Sequence, residues 1–241
     1  MPAAVSGLKR YNKYNHMVTV KMTGGLGNQM FIYAFGRSLS LKRKEELQYD
    51  LSWYAEHHSV EKGAIARQFV LDRYNIAGQP AAAVDAKSYK SSLIVGLIEK
   101  VRSRIQYDYH YHFHPGLMKG KKQFYTGFFH SHKYFSDCAE TIKSDLTLKD
   151  PLTGLAAEIE AKIKSCEAVS MHIRRDDLIT SKKSNQIYGV LPQSYYDDAV
   201  ALVKTKCANP VFFIFTDDVE WAKTSLKLEG EKVFVSGNGF H

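Results

Sequence analysis

Ala168-Val169-Ser170-Met171-His172-Ile173-Arg174-Arg175-Asp176-Asp177 is the stretch on which the fold turns, six residues of strand character running straight into four charges. Ahead of it, Leu155, Ile159 and Ile163 recur at helical spacing. Behind it, Pro192 stands where a helix begins, and Tyr195, Tyr196, Ala199, Val200 and Val203 carry that helix on. Residues 211–215 (VFFIF) form a continuous apolar run, the mark of a strand buried on both faces. Asp217 or Asp218 is placed to cap a further helix bearing Trp221 and Leu226, and residues 233–235 read as one more strand. Helix and strand alternate three times, which predicts parallel strands with right-handed crossovers, half of a doubly wound nucleotide-binding domain. The chain stops at His241, directly after that strand. A parallel sheet needs cover on both faces, so this domain is expected to be incomplete.

The other half opens with residues 17–22 (MVTVKM), alternating as a half-buried strand does. Residues 23–28 (TGGLGN) then turn the chain, and from Gln29 the spacing is helical, with Met30, Phe31, Ala34, Phe35 and Leu39 on one face. The helix fades into the polar run 42–46, and residues 47–49 read as a second strand ending at Asp50. Residues 51–150 are a patchy mixture in which 107–114 alternate and 122–129 suit a strand. The expected division is a mobile leader at 1–16, a first domain at 17–150 and a second at 151–241.

Composition narrows the function classes. At 241 residues, with 44% hydrophobic and 24% charged, the chain is an ordinary globular one. Its net charge of +8 is compatible with an anionic partner, and a nucleotide sugar, an anionic membrane surface and a nucleic acid all satisfy it. Three separate cysteines (Cys138, Cys166, Cys207) give neither a disulfide framework nor a zinc pattern and fit a reducing compartment. No apolar run reaches transmembrane length, and no signal peptide is read at the start.

Arg174 and Arg175 follow a parallel strand, at the end where open α/β sheets bind ligands. Two guanidinium groups there match a diphosphate, and their fixed charge does for a departing nucleoside diphosphate what a metal ion would. The plain alternative is a solvated loop making surface ion pairs. Thr216-Asp217-Asp218 and Ser236-Gly237-Asn238 end two further strands at the same rim, as ligand contacts or as caps and turns. In the first half, Gly25-Leu26-Gly27-Asn28-Gln29-Met30 nearly matches a dinucleotide fingerprint, with Asp50 in place for a ribose, but its third glycine is replaced by Met30. Asn28 and Gln29 instead offer carboxamides, beside backbone amides, to phosphate or sugar hydroxyls. His110, His112, His114, His130 and His132 cluster without carboxylates at ligand spacing, so no metal is expected. Trp53, Tyr107, Tyr109 and Phe113 suit either sugar faces or the core.

These residues resemble a known family. Residues 24–37 (GGLGNQMFIYAFGR) look like the N-terminal signature of the α-1,2-fucosyltransferases of glycosyltransferase family 11. Residues 172–177 resemble that family's His-x-Arg-Arg-Gly-Asp motif, residues 213–221 (FIFTDDVEW) a third block, and residues 125–135 the lead into the second domain. The likeness runs from about residue 18 to 240, in family order. It implies an α/β, GT-B-like fold in which two Rossmann-like domains, acceptor side first and donor side second, face a cleft. It implies metal-independent, inverting transfer of fucose from GDP-β-L-fucose to the 2-hydroxyl of a terminal galactose, with GDP-fucose as substrate and no cofactor.

On this resemblance Arg174 and Arg175 bind the diphosphate, His172 and Asp177 shape the catalytic site, and Asp177 is the candidate base. Gly25, Gly27, Asn28, Gln29, Thr216, Asp217 and Asp218 complete the donor site, Asn28 and Gln29 reaching across the cleft. The implied acceptor is a galactose-terminated oligosaccharide or glycolipid of a bacterial surface glycan. The work is placed in the cytoplasm with peripheral membrane contact, and no nucleic acid is involved. Asp176 stands where the family has glycine, Leu178 replaces an aromatic, and the family's Ser- and Trp-rich block beyond Asn238 is not in the sequence. Other readings are a non-catalytic, truncated relative, an NAD-dependent Rossmann oxidoreductase, and a nucleic-acid-binding module.

Overall fold

β1 (Met17–Lys21) lies at the heart of a four-stranded parallel sheet of order β3-β2-β1-β4. The computed structural model describes residues 17–56, 67–81, 112–119, 123–180, 182–226 and 228–235. The leader, most of the alternating stretch 107–114 and the cluster 236–238 lie outside them. The chain divides into two compact α/β units between Lys149 and Asp150.

In the first unit, α1 (Leu26–Arg43) carries the chain from β1 to β2 (Glu46–Asp50), which pairs with it from Met17↔Glu46 to Lys21↔Asp50. α1 begins three residues before the periodicity does, because its first turn is not apolar-patterned and Gly27 is exposed. Its buried side is also turned from the one expected. Ile32, Tyr33, Ala34, Phe35 and Leu39 are buried, whereas Met30 and Phe31 are half-buried. Basic Lys42 and Arg43 suit the negative end of the helix dipole. Lys44, left-handed at φ 56°, ends the helix, and the Glu45 N–H donates back to Ser40 O.

The return from α2 (Ser52–Glu56) to the far edge of the sheet uses short pieces. These are β3 (Gln79–Pro80), α3 (Pro115–Lys119), β4 (Phe124–Tyr125) and α4 (Ala139–Asp145). The strand read over 122–129 thus reduces to two residues, because Gly127 (φ 152°) turns the chain. Beneath the sheet Phe35 stacks on Phe129 (centroids 3.8 Å apart) and meets Tyr125 and Tyr134 edge-on. Tyr33 donates to Asp145 Oδ2 (2.6 Å), which also accepts from Arg37 Nε (2.9 Å), tying α4 to α1. Burial, reinforced by Asp145, pushes the Tyr33 phenol far above its ordinary pKa.

Gly36 is where α1 touches the sheet. A Cβ there would lie 2.8 Å from Val20 Cγ1 and 2.9 Å from Leu47 Cδ1. The glycine of close helix–strand contact is thus at 36, not at the place that Met30 occupies in the fingerprint. Gly36→Val is expected to cost about 1–3 kcal/mol by overpacking. Valine is the sharper test, since alanine would regain about 1 kcal/mol of helix propensity over glycine. Urea unfolding reads the cost, and an unchanged midpoint would mean that α1 slides off the sheet freely.

The second unit has α5 (Gly154–Lys164), β5 (Glu167–Ile173), α6 (Asp176–Thr180), α7 (Lys182–Tyr188), α8 (Gln193–Lys204), β6 (Pro210–Thr216), α9 (Val219–Ser225) and β7 (Lys232–Phe234). Its strands are parallel in the order β5-β6-β7. Central β6 is buried from Val211 to Ile214, whereas edge strand β5 alternates, with Met171 and Ile173 buried and Ala168, Ser170 and His172 exposed. Tyr196 and Val200 of α8 and Ala222 of α9 pack on this core. No residue of α5 is buried, and Leu155 at the head of its stripe is 56% exposed. The polar stretch 176–188, which shows no helical period, holds two short helices, with Leu178 buried as their anchor. The α/β class and the parallel sheets are those expected.

Candidate functional site

The carboxyl end of β5 meets that of β6 through Arg175. Register pairs Ile173 with Thr216, so the loops after both strands start side by side. The backbone N–H of Arg175 donates to Asp217 Oδ1 (2.8 Å), and its Nε donates to Asp218 Oδ2 (3.1 Å). The guanidinium lies over the Trp221 ring, 3.9 Å from its centroid. A planar cation over an indole with one edge on a carboxylate has little freedom left. Its Nη1 and Nη2 groups make no hydrogen bond among the described residues. Nε is tied back, and two parallel donors remain for an anion.

Asp218 does two jobs. Oδ1 accepts from Trp221 N (3.0 Å) and caps α9, while Oδ2 holds Arg175. Its own N–H donates to Thr216 Oγ1 (3.0 Å). Thr216, Asp217 and Asp218, expected to touch the donor, therefore turn their oxygens on Arg175 and on the start of α9. The reason is electrostatic: carboxylates beside a diphosphate repel it, but behind an arginine they orient the cation. Trp221 meets Tyr196 edge-on at 6.1 Å, and burial raises the Tyr196 phenol against the pull of Arg175.

Arg174 turns elsewhere, its guanidinium 5.7 Å from the centroid of Tyr188. His172 is on the exposed face of β5, and the Asp177 backbone is in the first turn of α6. Of the sequence-derived set, this unit gathers Arg175, Thr216, Asp217 and Asp218 into one network. Trp221 and Tyr188 were missed as partners of the arginines; only the helical place of Trp221, three residues after its cap, hinted at the first.

The first unit holds the remaining candidates. Gly24 takes φ 73°, and a Cβ there would lie 2.4 Å from Asn28 Nδ2, so the turn needs glycine at that position. Gly25 caps α1 in extended backbone, and Gly27 is exposed. Gln29 departs from its expected role. It is fully buried, its Nε2 donating to Gly24 O (3.1 Å) and Gln68 O (2.7 Å) and its Oε1 accepting from Val70 N (3.0 Å). Its carboxamide clamps residues 68–70 to the glycine turn, because a buried amide must be paired. Asn28 is half-buried, with Oδ1 3.0 Å from His130 Nε2. Arg67, which no sequence pattern marked, has Nη1 3.5 Å from where a Gly25 Cβ would lie, beside a helix start without an acidic first turn. Asp50 is buried and accepts from Ser52 N (2.9 Å), so its carboxylate shapes a turn and is not presented to a ribose.

A cleft of about 260 Å³ opens at the carboxyl ends of this sheet, lined by Thr23, Gly24, Trp53, Thr126, Gly127 and Phe128. Phe113 instead packs on the core, 4.9 Å from Tyr134. Among the described residues no three His, Cys, Asp or Glu side chains converge as metal ligands, and no helix is long and apolar enough to cross a membrane.

The chain resembles known proteins in sequence and in fold. The sequence model of the family described as Glycosyl transferase family 11 matches residues 96–240. An Escherichia coli protein named Alpha-1,2-colitosyltransferase is 31% identical over 213 residues, covering 86% of this chain and 71% of that protein. The Escherichia coli O-antigen biosynthesis glycosyltransferase WbnK is 28% identical over 226 residues, covering 85% and 74%. Among solved structures, NodZ alpha-1,6-fucosyltransferase from crystals soaked with GDP-fucose shares the fold, with a TM-score of 0.50 at 14% identity. The match covers 92% of this chain and 78% of that one.

Proposed function

From its membership of glycosyltransferase family 11, which makes the chain a glycosyltransferase, we propose that it is a galactoside α-1,2-L-fucosyltransferase using GDP-β-L-fucose. The observation that carries the reading is Arg175, braced by Asp217, Asp218 and Trp221 with two guanidinium nitrogens left for a diphosphate. The galactose 2-hydroxyl attacks the anomeric carbon of fucose from the face opposite the phosphate. The bond from that carbon to the β-phosphate oxygen breaks, and GDP leaves with the electron pair and its added negative charge. Arg175 and Arg174 stabilise that charge. The hydroxyl proton passes to a base, for which Asp177 in α6 is the candidate, and His172 borders the site. In the first unit, Asn28, Gly25 and Gly27 with the nearby Arg67 make a polar surface suited to phosphate or sugar hydroxyls.

The α-1,2 linkage draws support from the name of the colitosyltransferase, and surface-glycan synthesis from that of WbnK. The acceptor is then a galactose-terminated oligosaccharide or glycolipid. The enzyme works in the cytoplasm, in peripheral contact with the inner membrane when the acceptor is a lipid. A second reading, transfer of colitose, is favoured by the 31% identity to the colitosyltransferase.

Nucleotide binding tests the reading. GDP and GDP-fucose are expected to raise the melting temperature with EDTA present, UDP-sugars and NAD much less. Ligand at 100 times its Kd adds about 2.7 kcal/mol to folding stability. Stabilisation by NAD but not by GDP would falsify the proposal. Assays with fucose and colitose donors on a β-galactoside then separate the two readings.

A further inference from the structure

We propose that the cleft lined by Thr23, Gly24, Trp53, Thr126, Gly127 and Phe128 holds a single neutral pyranose, the terminal galactose ring of the acceptor. The assignment of galactose rests on the acceptor class proposed above; the ring site rests on the cleft itself. From β1 the chain crosses to β2 and β3 on one side, then returns to β4 on the other. The loops after β1 and β4 therefore part at a topological switch point, the place where open parallel sheets bind small molecules.

Size and chemistry narrow the occupant. At about 260 Å³ the cleft is just under the ~300–1,000 Å³ of sites for drug-sized ligands, room for one pyranose ring. Among the described residues no lining side chain is charged, so none there offers a phosphate or carboxylate a cationic partner. The lining has two aromatic rings, Trp53 and Phe128, and two hydroxyls, Thr23 and Thr126. A galactopyranose matches that combination, with a patch of C–H groups on one face and hydroxyls round its edge.

The walls are braced from behind. Gly24 O accepts from Gln29 Nε2 and from Tyr54 Oη, both at 3.1 Å. Phe128 stacks on His130 (5.3 Å, 16°), and His130 is held by Asn28 and by the edge of Phe31. Between them Phe129 takes φ 52°, an outlier for a bulky residue, and drives its own ring into the core against Phe35. Backbone strain of this kind persists where the surroundings fix it, and it gathers at ligand sites.

The chain's two tryptophans give each unit its own reporter, Trp53 in the cleft and Trp221 beneath Arg175. Methyl β-D-galactopyranoside and GDP are titrated separately into Trp221→Phe, which keeps Trp53, and into Trp53→Phe, which keeps Trp221, each checked for parental circular dichroism. The galactoside is expected to change Trp53 emission saturably and to leave Trp221 unmoved, while GDP does the reverse. Phe128→Ala should weaken the galactoside response at least several-fold at unchanged GDP affinity. Ligand-observed NMR on the unaltered chain gives a second reading, with saturation reaching galactoside C–H protons and lost in Phe128→Ala. A GDP response at Trp221 with no galactoside response by either method overturns the cleft assignment and leaves the donor reading standing. A GDP response carried by Trp53 overturns it as well. Galactoside binding without any GDP response upholds the ring site and removes the donor reading.

Discussion

Arg175→Ala is expected to abolish measurable transfer and to weaken GDP binding by about 10- to 150-fold, the equivalent of one lost charge-assisted hydrogen bond at 1.5–3 kcal/mol. The fold should tolerate the change. Arg175 lies in the loop between β5 and α6, and removing it leaves Asp218 still capping α9. Arg175→Lys keeps the charge but should recover little. A lysine ammonium has neither an Nε to hold against Asp218 nor a plane to lie on Trp221. Calorimetry with GDP and a transfer assay on a β-galactoside measure the two effects. Near-parental turnover in the alanine variant, or full rescue by lysine, would mean that the diphosphate is not met by this guanidinium. Arg174→Ala is the companion measurement, since Arg174 lies beside Tyr188 outside the Asp218 clamp.

The second unit was legible because its signals are local. An unbroken apolar run marks β6, charges after β5 mark a strand end, and proline before α8 marks a helix start. The first unit hid after Asp50, since strands of two residues leave no period to read and aromatic packing among Phe35, Tyr125, Phe129 and Tyr134 joins distant segments. The site divides in the same way. The arginine pair could be singled out from its place after a strand, but the turning of Asp217 and Asp218 towards Arg175 is a fact of register between strands 43 residues apart. Gln29 misled because a carboxamide at a helix start reads the same whether it faces a ligand or, as here, the backbone at 68–70. Gly36 was invisible as a contact, its significance lying in Val20 and Leu47 across the layer.

Asp218 offers the test that separates attraction of the donor from its orientation. Asp218→Asn keeps an oxygen for Trp221 N, and asparagine caps helices as well as aspartate, so this variant should melt close to the parent. Asp218→Ala loses the cap and should be about 1 kcal/mol less stable. Neither variant can hold Arg175 Nε, because the asparagine amide meets it donor to donor. Two effects on GDP then oppose each other. A released guanidinium must be reordered on binding, at about 0.5–1.5 kcal/mol, whereas loss of a nearby negative charge favours a diphosphate by a similar amount at an effective dielectric near 20. GDP affinity should therefore move by no more than about threefold either way. Turnover has no such compensation: an arginine that wanders by an ångström no longer meets the charge that develops on the leaving phosphate. A fall in kcat on the order of 10- to 100-fold is expected for both variants. Unchanged kcat in Asp218→Asn would show that the clamp does not position Arg175 for the reaction. Loss of GDP binding as large as that of Arg175→Ala would show that Asp218 belongs to the nucleotide site itself and does not act through its neighbour.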